Sequence, residues 1–279
     1  MNRRTFLRNS AGAAALGLSL SQIQTMAQPT LDKKIPISVQ LYSVRDAAAK
    51  DLAKVLKAVK EMGYDGVEFA GYYGHDAKAI RKMLDDAGLK CSGTHTGLHE
   101  VLFENFDKTV EIHKTLGTRF IIVPGGIDHY LGTIPGNEMT AFLFNEIADK
   151  LSKHDMEIGY HAHGGDFRKL DGETAWDRFF AKTRKNVFMQ MDIGNCIGGG
   201  GDPYTPIEKF PGRSKAIHLK EWSDNGAPIG EGTVDWKRVF ELCETVGGTE
   251  WYVVEHEVGS AEDLRGIEAC IKNLRKMGK

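Results

Sequence analysis

Four residues in the second half of the chain, His161, Asp192, His218 and Glu255, are of the types that hold divalent metal ions, and each stands where a short apolar run stops. Ile158-Gly-Tyr leads to His161, Val187–Met191 to Asp192, Ala216–Ile217 to His218, and Trp251-Tyr-Val-Val to Glu255. An apolar run that ends on one ionisable group is what a barrel strand produces when it hands a side chain to the open end. The intervals are 31 residues (161 to 192), 26 (192 to 218) and 37 (218 to 255), each close to one strand–helix unit of roughly 30 residues. Two imidazoles and two carboxylates on four consecutive strands can face a common point. That set suits Mn, Co, Zn or Fe(II) better than Ca, with Mg also open. Two carboxylates balance the ion's charge and leave it polarising power for a hydroxyl or carbonyl oxygen. A lone histidine at a strand end is more often a hydrogen-bonded structural residue, but four ligand types on successive strands make coincidence the weaker reading.

The strand period of two puts His163, Gln190, Lys220 and Glu257 on the same face as these four. Beside Glu255 as a base, Lys220 and His163 are the candidates for a second proton transfer. A structural ion pair is the alternative for both, and Glu257 reads as a supporting or solvent-facing group. Glu68 and His95, near the ends of strands two and three, together with Gln40 and Asn195, are the candidates for contact with a substrate.

The elements that must position these groups alternate along the chain. Strand-like runs are expected at Ile37–Val44, Gly66–Ala70, Lys90–Thr96, Arg119–Val123, Glu157–Ala162, Val187–Met191, from Ala216, and at Glu250–Val254. Between them lie helical faces such as Leu52, Val55, Leu56, Val59 and Met62 behind Asp51, and Ile80, Met83, Leu84 and Ala87 between Asp76 and Gly88. Ile127–Gly136 reads as a longer loop ahead of a helix over Met139–Leu151. Gly194–Pro203, with four glycines in succession, lacks the lysine and helix order of a phosphate cradle and reads as a mobile or tightly turning loop over the site. Ser260–Asp263 resembles a capping box that opens the last helix. Eight strands alternating with helices predict a single closed (β/α)8 TIM barrel.

Residues 1–27 are set aside from that barrel: Asn2-Arg3-Arg4-Thr5-Phe6-Leu7-Arg8 is a twin-arginine pattern, Ala11–Leu20 is apolar, and Thr25-Met26-Ala27 suits a signal peptidase. Ala11–Leu20 is too short to span a bilayer, so residues 28–279 are expected to form one extracytoplasmic, periplasmic domain with no membrane span. A net charge of −2 and a pI near 6.6 give no footprint for nucleic acid. Cys91, Cys196, Cys243 and Cys270 have no CxxC spacing and read as buried free thiols. Nothing in the composition decides the oligomeric state, and a homo-oligomer stays open.

Several segments resemble a known family. Val-Gln-Leu-Tyr-Ser-Val-Arg (39–45), Gly-Val-Glu-Phe-Ala (66–70), Gly-Tyr-His-Ala-His (159–163) and Met-Asp-Ile-Gly-Asn (191–195) are similar to the xylose-isomerase-like barrels, as are Gly-Gly-Asp-Pro (200–203), His-Leu-Lys-Glu (218–221), Ile-Gly-Glu-Gly-Thr-Val-Asp-Trp (229–236) and Trp-Tyr-Val-Val-Glu (251–255). These barrels comprise the sugar phosphate isomerase/epimerase and class II AP endonuclease superfamily. The resemblance implies a divalent ion held by a strand-five Glu, a strand-six Asp, a strand-seven His and a strand-eight Glu. The last three fall on Asp192, His218 and Glu255. His161 departs from the pattern at the strand-five position, and Asn195 stands where many epimerases have a His. The Tyr-His-x-His segment looks more like the inosose dehydratase branch. The implied activity is isomerisation or epimerisation of a sugar or keto-sugar through an enediolate, with a lyase or hydratase of a keto-sugar or keto-inositol as the alternative. A carbohydrate-binding barrel without turnover is a further alternative. Charge balance and the export pattern oppose an endonuclease.

Overall fold

The computed structural model describes residues 34–279, so the twin-arginine segment lies outside the described residues. Eight parallel strands form one sheet: β1 (Ile37–Gln40), β2 (Gly66–Ala70), β3 (Lys90–His95), β4 (Phe120–Val123), β5 (Glu157–His161), β6 (Val187–Gln190), β7 (Ala216–Leu219) and β8 (Trp251–Val254). Strands β1 to β6 pair in sequence, β1 also pairs with β8, and β8 with β7. The two remaining edges, β6 and β7, meet at a parallel bridge between Asp192 and His218. There the His218 N–H donates to the Met191 carbonyl (2.9 Å) and the Met189 N–H to the Arg213 carbonyl (2.7 Å). The sheet is thereby closed into the expected single (β/α)8 barrel. Two of the predicted metal ligands form its seam.

The interior is layered because strand side chains alternate. Phe120, Ile122, Phe188, Ala216 and Val253 make a dry plug, with Trp251 packed against it. Two residues further along β6, β7 and β8 come Gln190, His218 and Glu255, all buried. The plug keeps water from reaching those groups from below. Space for it is made by glycines: a Cβ at Gly159 would lie 2.4 Å from the Phe188 ring, and one at Gly93 2.6 Å from Ile122. Outward-facing Val67, Phe69, Ile121, Val123, Tyr160, Met189 and Val254 join the larger core beneath the helices. Each fully buried side chain of this kind contributes roughly 1.5–3 kcal/mol.

Helix ends follow the sequence in part. Asp51 accepts from the Lys54 N–H and Asp76 from the Ala79 N–H, and Gly88 closes its helix in the left-handed region at φ +69°. Other expectations need correction. Strand β1 stops at Gln40, and Leu41–Val44 is a 3₁₀ turn, set by the Gln40 side chain accepting from the Tyr42 N–H. Its apolar residues are buried as a turn, which the strand pattern imitates. The loop expected at Ile127–Gly136 contains a short helix, Asp128–Leu131, and the start of the helix Ile134–Leu151. Thr133 caps the latter and Pro135 occupies its first turn. Ile193–Gly198 is helical rather than a loop, capped by Asp192; the tight turning begins only at Gly199–Gly201. The last helix begins at Arg265 without a side-chain cap, and Ser260 instead accepts from the Glu262 N–H within a turn. All four cysteines are buried and free. No helix among the described residues is long and apolar enough to cross a membrane.

Candidate metal centre

The polar layer is built from the bottom up around Glu68, whose side chain reaches the barrel axis from β2 and is fully buried. Gln40 Nε2 donates to its Oε1 (2.8 Å) and Gln190 Nε2 to its Oε2 (2.7 Å). His218 Nε2 lies 2.7 Å and His95 Nε2 3.0 Å from Oε1. Burial alone would raise this carboxyl, but the two imidazoles outweigh it and hold Glu68 down at about 2. Gln190 Oε1 accepts from His161 Nδ1 (3.1 Å) and His95 Nε2 (2.8 Å). One carboxylate and one amide therefore orient three imidazoles, with Gln40 holding the carboxylate in place.

His218 sets Nε2 against Glu68 Oε1 and Nδ1 2.8 Å from Glu255 Oε2 and 3.7 Å from Asp192 Oδ2. Burial opposes its charge, yet these three carboxylates outweigh it and hold the ring's pKa well above the usual imidazole range, so a cation bound here would take the place of the Nδ1 proton. His161 donates Nδ1–H to Gln190, which leaves Nε2 as its free lone pair. Burial, then the neighbouring His218 and His95, hold His161 well below the usual imidazole range, so it is a neutral ligand type. A donor nitrogen whose partner nitrogen is tied to a carboxylate or amide is the usual second shell of a metal-bound histidine.

The four predicted ligands come together. One donor atom each from His161, Asp192, His218 and Glu255 lies within 4.8 Å of the others, and all four residues are buried. Asp192 Oδ2 is buried without any hydrogen-bond partner, and His218 Nδ1 meets only carboxylates. An orphaned buried carboxylate oxygen costs free energy, and a cation at this point would satisfy both atoms. The residues thus fit a divalent ion.

The remaining candidates lie around this cluster. Gln40 and Glu68 are beneath it, joined through Gln40 Nε2 and Glu68 Oε1. His95 is in the same layer, its ring stacked on His218 at 5.4 Å. Asn195 spends its side chain on the Ala162 carbonyl (3.1 Å) and its N–H on Asp192 Oδ1 (2.7 Å). Asp192 therefore uses one oxygen as a helix cap and presents the other to the cluster. Lys220 lies above, 3.0 Å from Glu255 Oε1 and in contact with Glu257. Burial opposes its charge, yet Asp192, Glu255 and Glu257 outweigh that and hold Lys220 above the usual lysine range. His163 sits beside His161 with ring centroids 4.9 Å apart. Its Nδ1 is buried and unpartnered, and burial lowers its affinity for a proton.

Two features were not anticipated. Asp166 and Asp128 stand near His163, and Asp166 accepts from Tyr160 Oη (3.1 Å) and from the His163 N–H (2.8 Å). The only hint was an acid following the glycine pair after His163. Beyond Lys220, Trp222 borders a cleft of about 380 Å³ that runs to Glu255 and Lys220. An aromatic residue immediately past a strand end, flanked by polar residues, was its signal.

The match to the family model described as xylose isomerase-like TIM barrel covers residues 56–277. The rhizopine catabolism protein MocC of Rhizobium meliloti is 25% identical over 81% of this chain and 81% of its own length. Inosose dehydratase of Lacticaseibacillus casei is 24% identical over 74% of this chain and 83% of its own. The crystal structure of a sugar phosphate isomerase/epimerase from Parabacteroides distasonis superposes with a TM-score of 0.74 at 25% identity, covering 87% of this chain and 98% of that one. A match over most of the chain, on a closed barrel with its polar layer at the C-terminal end, places this protein in the xylose isomerase-like TIM barrel family.

Proposed function

We propose that the protein is a divalent-metal-dependent enzyme of the isomerase/epimerase type, acting on a sugar or keto-sugar by removing a proton next to a carbonyl. The observation that carries this reading is the convergence of His161, Asp192, His218 and Glu255, with a buried and unpartnered Asp192 Oδ2, directly under Lys220. The ion would be held by those four residues and would supply polarisation of adjacent substrate oxygens. Glu255 offers a carboxylate oxygen as the base. Lys220, held firmly protonated, acts by hydrogen bonding to the oxygen that gains charge in the enediolate rather than by releasing its own proton. His163, neutral and with a free Nδ1, is the second group able to move a proton. The barrel plug and the buried polar layer exclude water from below, which strengthens each of these interactions.

A second reading, dehydration of a keto-sugar or keto-inositol, is favoured by His161. With an imidazole there, the pair of opposing carboxylates that serves epimerisation is absent, and the relatives named inosose dehydratase support the same choice. Both begin with the same proton removal and differ in whether a β-hydroxyl then leaves. Residues 1–27 support export by the twin-arginine route to the periplasm, with a carbohydrate as the small-molecule partner.

The test is proton exchange. Protein loaded with Mn, Co or Zn is incubated with keto-sugars and keto-inositols in D₂O and followed by NMR. Deuterium entering at the carbon next to the carbonyl is expected, with a stereoisomer or a dehydrated product identifying the reaction. Absence of exchange from all of them, with metal shown to be bound, would overturn the proposal.

A further inference from the structure

The cleft above the metal cluster is larger than one reacting ring needs, and its lining is divided. It is lined by the linked charges of Lys220, Glu255 and Glu257 and by the apolar Trp222 and Val258, the latter packed close to Gly226. Trp222 and Val258 are 42% and 50% exposed, and both border the same cleft.

The backbone around Trp222 is rigid because Glu221 is fully engaged. Its Oε1 accepts from the Trp222 N–H (3.0 Å) and the Val234 N–H (3.1 Å), and its Oε2 from the Gly230 N–H (2.7 Å) and Trp236 Nε1 (2.7 Å). Thr233 adds donations from N and Oγ1 to the Trp222 carbonyl, each at 3.0 Å. The six-membered ring of Trp222 rests on Gly198, where a Cβ would come within 2.6 Å of Cζ3. The indole is therefore supported from below, fixed through its backbone and left open toward the cleft. A preorganised aromatic surface loses little freedom when a flat apolar face settles on it.

The chemistry of the lining selects the occupant. A pyranose ring has an apolar face of C–H bonds and a rim of hydroxyls, which matches an indole and Val258 bordered by carboxylate and ammonium groups. The charges oppose a phosphate. Among the described residues that line the cleft, Lys220 is the only lysine or arginine, and it is flanked by Glu255 and Glu257. An anion placed against Lys220 would meet two carboxylates that already pair with it.

We propose that Trp222 forms a subsite for a second, uncharged sugar ring, so that the natural substrate is a glycoside or disaccharide bearing its reacting ring at the metal cluster rather than a free or phosphorylated monosaccharide. This assignment rests on the reading of the cluster as a carbohydrate site, but its binding test does not require turnover.

Titration calorimetry of the metal-loaded protein with cellobiose, maltose, sucrose and trehalose, against glucose and glucose 6-phosphate, measures it directly. At least one disaccharide should bind about tenfold tighter than glucose, the gain expected of one aromatic stacking contact, and glucose 6-phosphate should bind no tighter than glucose. Trp222→Ala should bring the disaccharide-to-glucose ratio close to one, whereas Trp222→Phe, which keeps an aromatic face, should preserve most of it. Equal affinity for glucose and every disaccharide, a preference for the phosphate, or a ratio unmoved in Trp222→Ala would each overturn the subsite. Failure of deuterium exchange alongside a Trp222-dependent disaccharide preference would instead sink the proposed catalysis and leave the subsite standing.

Discussion

At the scale of single residues, the cluster is governed by atoms with two duties. Asp192 caps the helix Ile193–Gly198 with Oδ1 and leaves Oδ2 unpartnered. Asp192→Asn keeps an oxygen for the cap but withdraws the charge, so it should lose bound metal while unfolding close to the wild type. Asp192→Ala should lose metal and, in addition, about 1 kcal/mol from the missing cap. Metal analysis with denaturant unfolding separates the two effects, and full metal retention in both variants would show the site to be misplaced. Glu68 gives a second test, because it is not itself a proposed ligand yet orients His218 through Nε2. Glu68→Gln should weaken metal binding about 10- to 100-fold, read by competition with a chelator, and an unchanged affinity would mean the floor does not orient His218. His161, Asp192, His218 and Glu255 were legible as a group because each ends an apolar run at barrel spacing. The inward reach of Glu68 and Gln40 was not, since strand alternation tells which face a residue takes but not how deep in the barrel it stops.

At the scale of elements, legibility followed the strength of the local signal. Strands β2 to β8 were visible because turn signals bracket short strand-like runs at barrel spacing. β1 was overextended because Leu41 and Val44 are buried in a 3₁₀ turn that periodicity alone does not distinguish from strand. Ile193–Gly198 was misread because its glycines argue against a helix, while its cap, Asp192, had already been assigned to the metal. The two roles are compatible only because a carboxylate has two oxygens. Packing between neighbouring strands was also invisible to local pattern, as Gly159 illustrates. Its ideal Cβ would sit 2.4 Å from the Phe188 ring, which cannot move freely within the plug. Gly159→Ala should therefore destabilise the protein by about 1–3 kcal/mol through overpacking. Combining it with Phe188→Leu should recover part of that loss, so that the double variant is more stable than the two single changes predict by addition. Chemical denaturation of the four proteins checks the cycle, and strict additivity would mean the two side chains do not compete for the same space.

At the scale of the whole molecule, the question is what ties the helical shell to the barrel that carries the site. One tie is a buried histidine outside the cluster. His113, on the helix Phe106–Leu116, donates Nδ1–H to the Thr109 carbonyl (2.8 Å) and accepts at Nε2 from Thr94 Oγ1 (2.5 Å) on the strand that ends at His95. Both nitrogens are used by the neutral ring, and burial, opposed only weakly by the Thr109 carbonyl, pushes its pKa down to about 4. The sign follows from linkage. Above pH 6.5 the ring is neutral in both folded and unfolded chains and costs nothing; between 6.5 and about 4 only the unfolded chain takes up the proton, so stability falls as the pH falls. A shift of this size corresponds to about 3 kcal/mol when complete, and it levels off below pH 4. His113→Gln cannot take up that proton. The gap in unfolding free energy between wild type and variant should therefore move by about 2.5 kcal/mol in the variant's favour from pH 7.5 to pH 4.5. Because the carboxylates and the other histidines are common to both proteins, the difference isolates this residue, and a gap that stays constant across that range would show that His113 is not what makes the shell acid-sensitive.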